Sequence, residues 1–176
     1  MLPTAVDWGE ASMPNIEFRF AWNGREPEVL RTAQQFWRDL GDALTADEIE
    51  ERSAELCAAA YSASQMIAVS TVKLTDYPRL GGRFAFYRTV VAPDFRRQGV
   101  AARLCAYSRD RLGQWAQENP EEKIKGLLIV GQSDDLSPKR RHLPVVSTHG
   151  LDFVFVGFGQ TGYQIRVVWF DHAAVE

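Results

Sequence analysis

Residues 86–112 read FYRTVVAPDFRRQGVAARLCAYSRDRL and change character three times. An apolar run of strand formers stops at Pro93, because proline cannot donate to a sheet ladder. Two arginines and a glutamine then lead to Gly99. From there Val100, Leu104, Tyr107 or Ser108, Leu112 and Trp115 follow the spacing of an amphipathic helix. A strand is thus joined to a helix by a short cationic loop that carries one glycine.

That order has a chemical meaning. The first turn of a helix leaves its N–H groups without intrahelical partners, and the aligned peptide dipoles add about half a positive charge. A glycine at the entrance removes the Cβ, so an anion can lie against the backbone. Arg96, Arg97 and Gln98 precede Gly99, while Ala101 and Ala102 keep the first turn open; together they form a candidate diphosphate cradle. The dinucleotide fingerprint needs three glycines in GxGxxG, and the mononucleotide P-loop needs GxxxxGK followed by Ser or Thr. Neither pattern is present at this loop.

Working outward, NIEFRFAWNG (15–24) alternates Ile16, Phe18, Phe20 and Trp22 with other residues, which predicts a strand closed by the turn pair Asn23-Gly24. Val29, Leu30, Ala33, Phe36, Trp37 and Leu40 form a helical stripe, with Pro27 suited to a first turn and Gly41 to a stop. Thr45, followed by Asp47 and Glu48, predicts the cap of a second helix. CAAAYSASQ (57–65) fits either a helix end or a short strand. MIAVSTVKL (66–74) and RFAFYRTVV (83–91) predict a hairpin around Pro78 and Gly81-Gly82. KIKGLLIVGQ (123–132) reads as an interior strand. SDDLSPKRRHLPVVSTHG (133–150) reads as loop with at most a short helix. LDFVFVGFGQTGYQIRVVWF (151–170) reads as a closing hairpin around Gly157, Gly159 and Gly162. The chain is therefore expected to be α/β: a loose lead-in over 1–14 and a single domain over 15–172.

Val91-Ala92-Pro93 followed by Arg96-Arg97-Gln98-Gly99-Val100-Ala101 closely resembles the signature of the GNAT superfamily of acyl-CoA-dependent N-acyltransferases. That signature is (Arg/Gln)-x-x-Gly-x-(Gly/Ala) after a strand ending in Val-x-Pro, and the element order over 15–170 fits it too. The resemblance implies a mixed, mostly antiparallel central sheet with helices on both faces and a V-shaped splay between the two central strands. It implies acetyl-CoA as co-substrate, with no metal, and a small-molecule or peptide amine as acceptor. The backbone of Thr89, Val90 and Val91 would pair with the pantetheine arm, with the Val91 amide near the thioester carbonyl. Amides from Arg97 through Ala102, including those of Gln98, Gly99, Val100 and Ala101, would receive the pyrophosphate. The Arg96 and Arg97 side chains would add charge-assisted contacts.

The chemistry implied is attack of a neutral amine on the thioester, with a donor for the oxyanion and a proton for the departing thiolate. Many GNAT proteins supply that proton from a tyrosine before a Gly-Phe pair. The comparable stretch PVVSTHGLDF (144–153) has no tyrosine, which makes His149 the expected catalytic acid and Tyr163 a weaker candidate. The carboxylate base usual on the preceding strand is also missing from RFAFYRTVV, leaving water chains, or Asp134 and Asp135 beyond the next strand. These departures keep two other readings open: a catalytically silent acyl-CoA-binding sensor or partner-recruiting module, and a phosphate-anchored module without coenzyme A.

Bulk properties agree with an ordinary globular domain. The 176 residues are 45% hydrophobic and 24% charged, enough apolar material for a packed core. A net charge of −3 offers no long-range attraction to nucleic acid or an anionic membrane, and SPKRRH (137–142) reads as a solvated loop. No run approaches the roughly 18 apolar residues needed to span a bilayer, and the N-terminus does not read as a secretory signal. Cys57 and Cys105 read as buried thiols in a reducing cytoplasm, and the three histidines form no zinc pattern. A monomer or a homodimer is expected.

Overall fold

The computed structural model describes residues 15–41, 44–131 and 142–173. Among these residues eight strands form one sheet: β1 (Ile16–Phe20), β2 (Leu56–Ser62), β3 (Gln65–Tyr77), β4 (Gly82–Val91), β5 (Ile124–Gly131), β6 (Val145–Thr148), β7 (Leu151–Phe158) and β8 (Gln164–Trp169). Their spatial order is β1-β2-β3-β4-β5-β8-β7-β6, and every neighbouring pair is antiparallel except β4 with β5. The parallel pair needs a crossover, and helix α3 (Val100–Glu118) provides it. Helices α1 (Pro27–Asp39) and α2 (Ala46–Ala54) cover the other face. This is the mixed, mostly antiparallel sheet expected, with helices on both faces.

Local chemistry explains most boundaries. Pro27 opens α1, and Thr45 with Glu48 forms a reciprocal capping box at α2. The ambiguous 57–65 segment resolves as strand, because Ala63 and Ser64 both take positive φ and close a two-residue hairpin between Ser62 and Gln65. One expectation is corrected: part of the segment read as loop, Val145–Thr148, is strand β6. Its valines suit a pleated edge, and His149 (φ 49°) with Gly150 (φ 74°) makes a two-residue turn into β7. Asp134, Asp135 and most of the basic loop, like the 1–14 lead-in, lie outside the described residues.

The main core lies between α3 and the sheet. Val100, Leu104, Leu112 and Trp115 pack on Ala58, Ala60, Ala68, Val72, Ala85, Tyr87 and Leu127. The small residues of β2 let the helix approach closely. Of the two alternatives at the third helical position, Ser108 is fully buried and lies 3.2 Å from Ser70 Oγ, whereas Tyr107 is half-buried and stacks on Phe18. Arg109 anchors the helix to β8 by donating to the Trp169 carbonyl. Leu104→Ala should lower the unfolding free energy by about 2–5 kcal/mol, through lost burial and an unfilled cavity, in urea titration followed by circular dichroism.

Candidate cofactor site at the open end of strand β4

The ladder between β4 and β3 is continuous from Gly82 to Val91, with Val91 opposite Ala68, and the Ala92 N–H extends it to the Ile67 carbonyl at 2.8 Å. Antiparallel ladders alternate bonded and non-bonded pairs, so even residues of β4 turn their peptide groups toward β3 and odd residues turn theirs toward β5. The pairing with β5 ends at Tyr87 opposite Ile129. From Arg88 to Val91, β4 therefore has a partner on one edge only among the described residues.

This parity divides the three residues predicted to meet a pantetheine arm. Thr89 and Val91 present their peptide groups to the gap. Val90 is committed to Val69 of β3, and its side chain packs with the α1/α2 cluster. The Val91 carbonyl accepts from Arg96 Nε at 3.1 Å, so the groups left facing the gap are the Thr89 N–H and C=O and the Val91 N–H.

The loop after β4 makes a tight turn over Pro93–Phe95, and Gln98 Nε2 donates to the Asp94 carbonyl at 2.8 Å. Arg97 (φ 61°) and Gly99 (φ 74°) are both left-handed, an uncommon conformation for arginine. Gly99 caps α3 without a side-chain bond to the first turn, and the first helical bond from this loop runs from Arg103 N–H to the Gly99 carbonyl at 3.0 Å. The amides of Val100, Ala101 and Ala102 thus lead the helix with no side-chain cap. Arg96, Arg97 and Gln98 are exposed around them, while Val100 is buried in the core.

His149 arrives at this loop from the β6–β7 turn. A Cβ built on Gly99 would stand 3.3 Å from its Nε2. The imidazole therefore lies over the helix entrance, beside the expected diphosphate end of the site. Tyr163 sits in the β7–β8 turn and is 38% exposed.

Sequence reading missed two features. First, Arg88 points to the α1/α2 face and pairs with Glu55 at the end of α2, which brings a carboxylate to β4 from 33 positions away. Alternation along RFAFYRTVV could have placed Arg88 opposite Tyr87, but nothing local announces Glu55. Second, the Tyr87 hydroxyl is buried under α3 without a hydrogen-bond partner among the described residues, as is Thr89 Oγ1. Burial pushes the Tyr87 phenol well above its usual range, and pushes Cys57 and Cys105 up to about 12 each. Such thiols hold almost no thiolate near neutrality, which argues against a nucleophilic role. Among the described residues no three His, Cys, Asp or Glu side chains gather as a metal site, and no helix is long and apolar enough to cross a membrane.

No protein-family profile and no curated protein matches the chain. Solved structures do. An acetyltransferase of the GNAT family from Streptococcus pneumoniae superposes with TM-score 0.50 over 87% of this chain and 96% of its own, at 13% identity. The ribosomal-protein-S18-alanine N-acetyltransferase from Escherichia coli (TM-score 0.49, 14% identity) covers 90% of this chain and 96% of its own. Arabidopsis thaliana NAA60 in complex with acetyl-CoA (TM-score 0.49, 14% identity) covers 90% and 99%. The chain has the fold of the GNAT acetyltransferases.

Two consequences are measurable. Gly99→Ala forces a Cβ into a left-handed position against His149, and should cost about 1–2 kcal/mol in thermal or urea unfolding. Cys57 and Cys105 should resist alkylation at about pH 8 in the folded protein and react together once urea unfolds it.

Proposed function

We propose that the chain is an N-acetyltransferase that moves an acetyl group from acetyl-CoA to an amine. The observation that carries this reading is the unpaired edge of β4 at Thr89 and Val91, which opens beside the uncapped start of α3. A strand edge pairs with an extended amide-bearing chain, and a bare helix entrance favours an anion. Coenzyme A joins a pantetheine arm to a diphosphate and would supply the acetyl group as a thioester.

The residues present fit that co-substrate. Thr89 and Val91 would hold the arm by peptide hydrogen bonds. The amides from Arg97 through Ala102 would hold the pyrophosphate, with Arg96 and Arg97 as outer charges. His149, over Gly99, belongs to the same anionic end, so we assign it to phosphate contact rather than to protonation of the thiol as the sequence suggested. For transfer, the amine nitrogen must bond to the acetyl carbon as the carbon–sulfur bond breaks, and one amine proton must leave. Glu55 is the described carboxylate paired to β4 on the face opposite α3, which makes it the first candidate to receive that proton. Cys57 and Cys105 pack the core and take no covalent part.

The second reading, a silent acyl-CoA-binding module, is favoured by one fact: neither the open part of β4 nor PVVSTHGLDF offers a carboxylate or tyrosine before Asp152. Calorimetry with coenzyme A and thiol release from acetyl-CoA across an amine panel separate the two. Binding with release supports the enzyme, binding without release supports the silent module, and no heat with coenzyme A overturns both. Arg96→Ala with Arg97→Ala should weaken coenzyme A binding only about threefold to tenfold, because the backbone carries most of the contact.

A further inference from the structure

The acceptor must reach the gap from the side that the cofactor leaves free. Residue parity on β4 identifies that side. Ala85 and Tyr87 point under α3, whereas Val90 packs with α1 and α2, so Arg88 shares the α1/α2 face. Arg88 stands one residue before the open edge and has no β5 residue opposite it.

Two guanidinium groups lie within electrostatic reach of each other there. Arg88 pairs through one terminal nitrogen with Glu55, and its guanidinium carbon stands 5.8 Å from the Phe86 ring centroid; its Nε is buried with no hydrogen-bond partner among the described residues. Arg52, in the last turn of α2, is half-buried and has no hydrogen bond or ion pair among the described residues. Burial, and then the like charge of Arg88, hold its pKa below the usual arginine value. Glu48, Glu55 and Glu51 offset this in part, yet none of them pairs with Arg52 among the described residues. Glu55 serves Arg88 and Lys73, Glu51 serves Lys73, and Glu48 is engaged in the capping box of Thr45. Glu55 compensates only part of this double charge: Arg52 has no paired carboxylate and Arg88 keeps a stranded Nε donor among the described residues, so a further anion is favoured there. A planar carboxylate matches such forks in shape as well as charge.

We propose that Arg52 and Arg88 form the carboxylate-recognising end of the acceptor pocket, so that the acceptor is an amine that also bears a carboxylate. This rests on the acetyltransferase reading above. Thiol release should be compared for amino acids and for their decarboxylated amines, in wild type, Arg52→Gln and Arg52→Lys, with coenzyme A affinity measured in parallel. Acids should be preferred in wild type. Arg52→Gln should raise their KM roughly tenfold or more and erase the preference, leaving kcat and coenzyme A affinity near wild type; Arg52→Lys should restore part of the loss. Equal use of acids and decarboxylated amines by wild type, with coenzyme A still bound, overturns this inference and leaves acetyl transfer standing. An acid preference that survives Arg52→Gln also overturns it. Absence of coenzyme A binding removes the underlying reading and this proposal with it.

Discussion

The β4 backbone changes its hydrogen-bonding state at Tyr87, and the site depends on that change. Up to Tyr87 the strand is bonded on both edges; beyond it only β3 pairs with it among the described residues. Peptide groups without partners are costly when buried and invite foreign strands when exposed. Here the chain satisfies one of them itself, since Arg96 folds back to the Val91 carbonyl. The remaining groups are an alternating pair of N–H donors and one acceptor. Such a set can be completed by an extended chain but not by a single ion.

The loop and helix that follow are shaped by the same opening. The chain must leave the sheet at Pro93 and return over it as α3, and it does so through two left-handed residues. Gly99 takes that conformation freely, but Arg97 does not, and strain of this kind is concentrated where a backbone must face a ligand. A Cβ at 99 would also press on the His149 imidazole, 3.3 Å from its Nε2. The glycine is therefore fixed by conformation and by contact at once, which a motif read as letters does not reveal.

Much of this was legible in the sequence because it is written locally. Proline, the Gly-bearing turn and apolar periodicity specify β4, the loop and α3 within about thirty positions. The splay itself came through resemblance; it depends on where a parallel strand stops pairing, and no residue of β4 marks that point alone. Strand β6 was missed because its four residues have little apolar alternation and owe their pairing to the His149-Gly150 turn and to β7. The Arg88–Glu55 pair and the proximity of His149 to Gly99 were invisible for a different reason. Each joins elements distant in sequence, and each side chain looks like an ordinary surface group beside its own neighbours.

The position of His149 in turn depends on a residue far from the loop. Strand β6 lies at the sheet edge with Leu143 and Val145 exposed, so apolar burial contributes little to holding its start. Arg166 of β8 is buried, yet has no carboxylate partner among the described residues, and burial alone lowers its pKa. It donates instead to the Phe153 carbonyl at 2.9 Å, the Leu143 carbonyl at 3.0 Å and Gln164 Oε1 at 3.1 Å. A desolvated charge is tolerated when most of its donors find acceptors, and these bonds stitch β8, β7 and the chain entering β6 into one unit. Leu151 and Phe153 then seat the same unit in the core beneath α3. The turn that carries the imidazole over the helix entrance is thus braced from β8, and the β6–β7 edge of the sheet reaches the loop after β4 at the candidate diphosphate site.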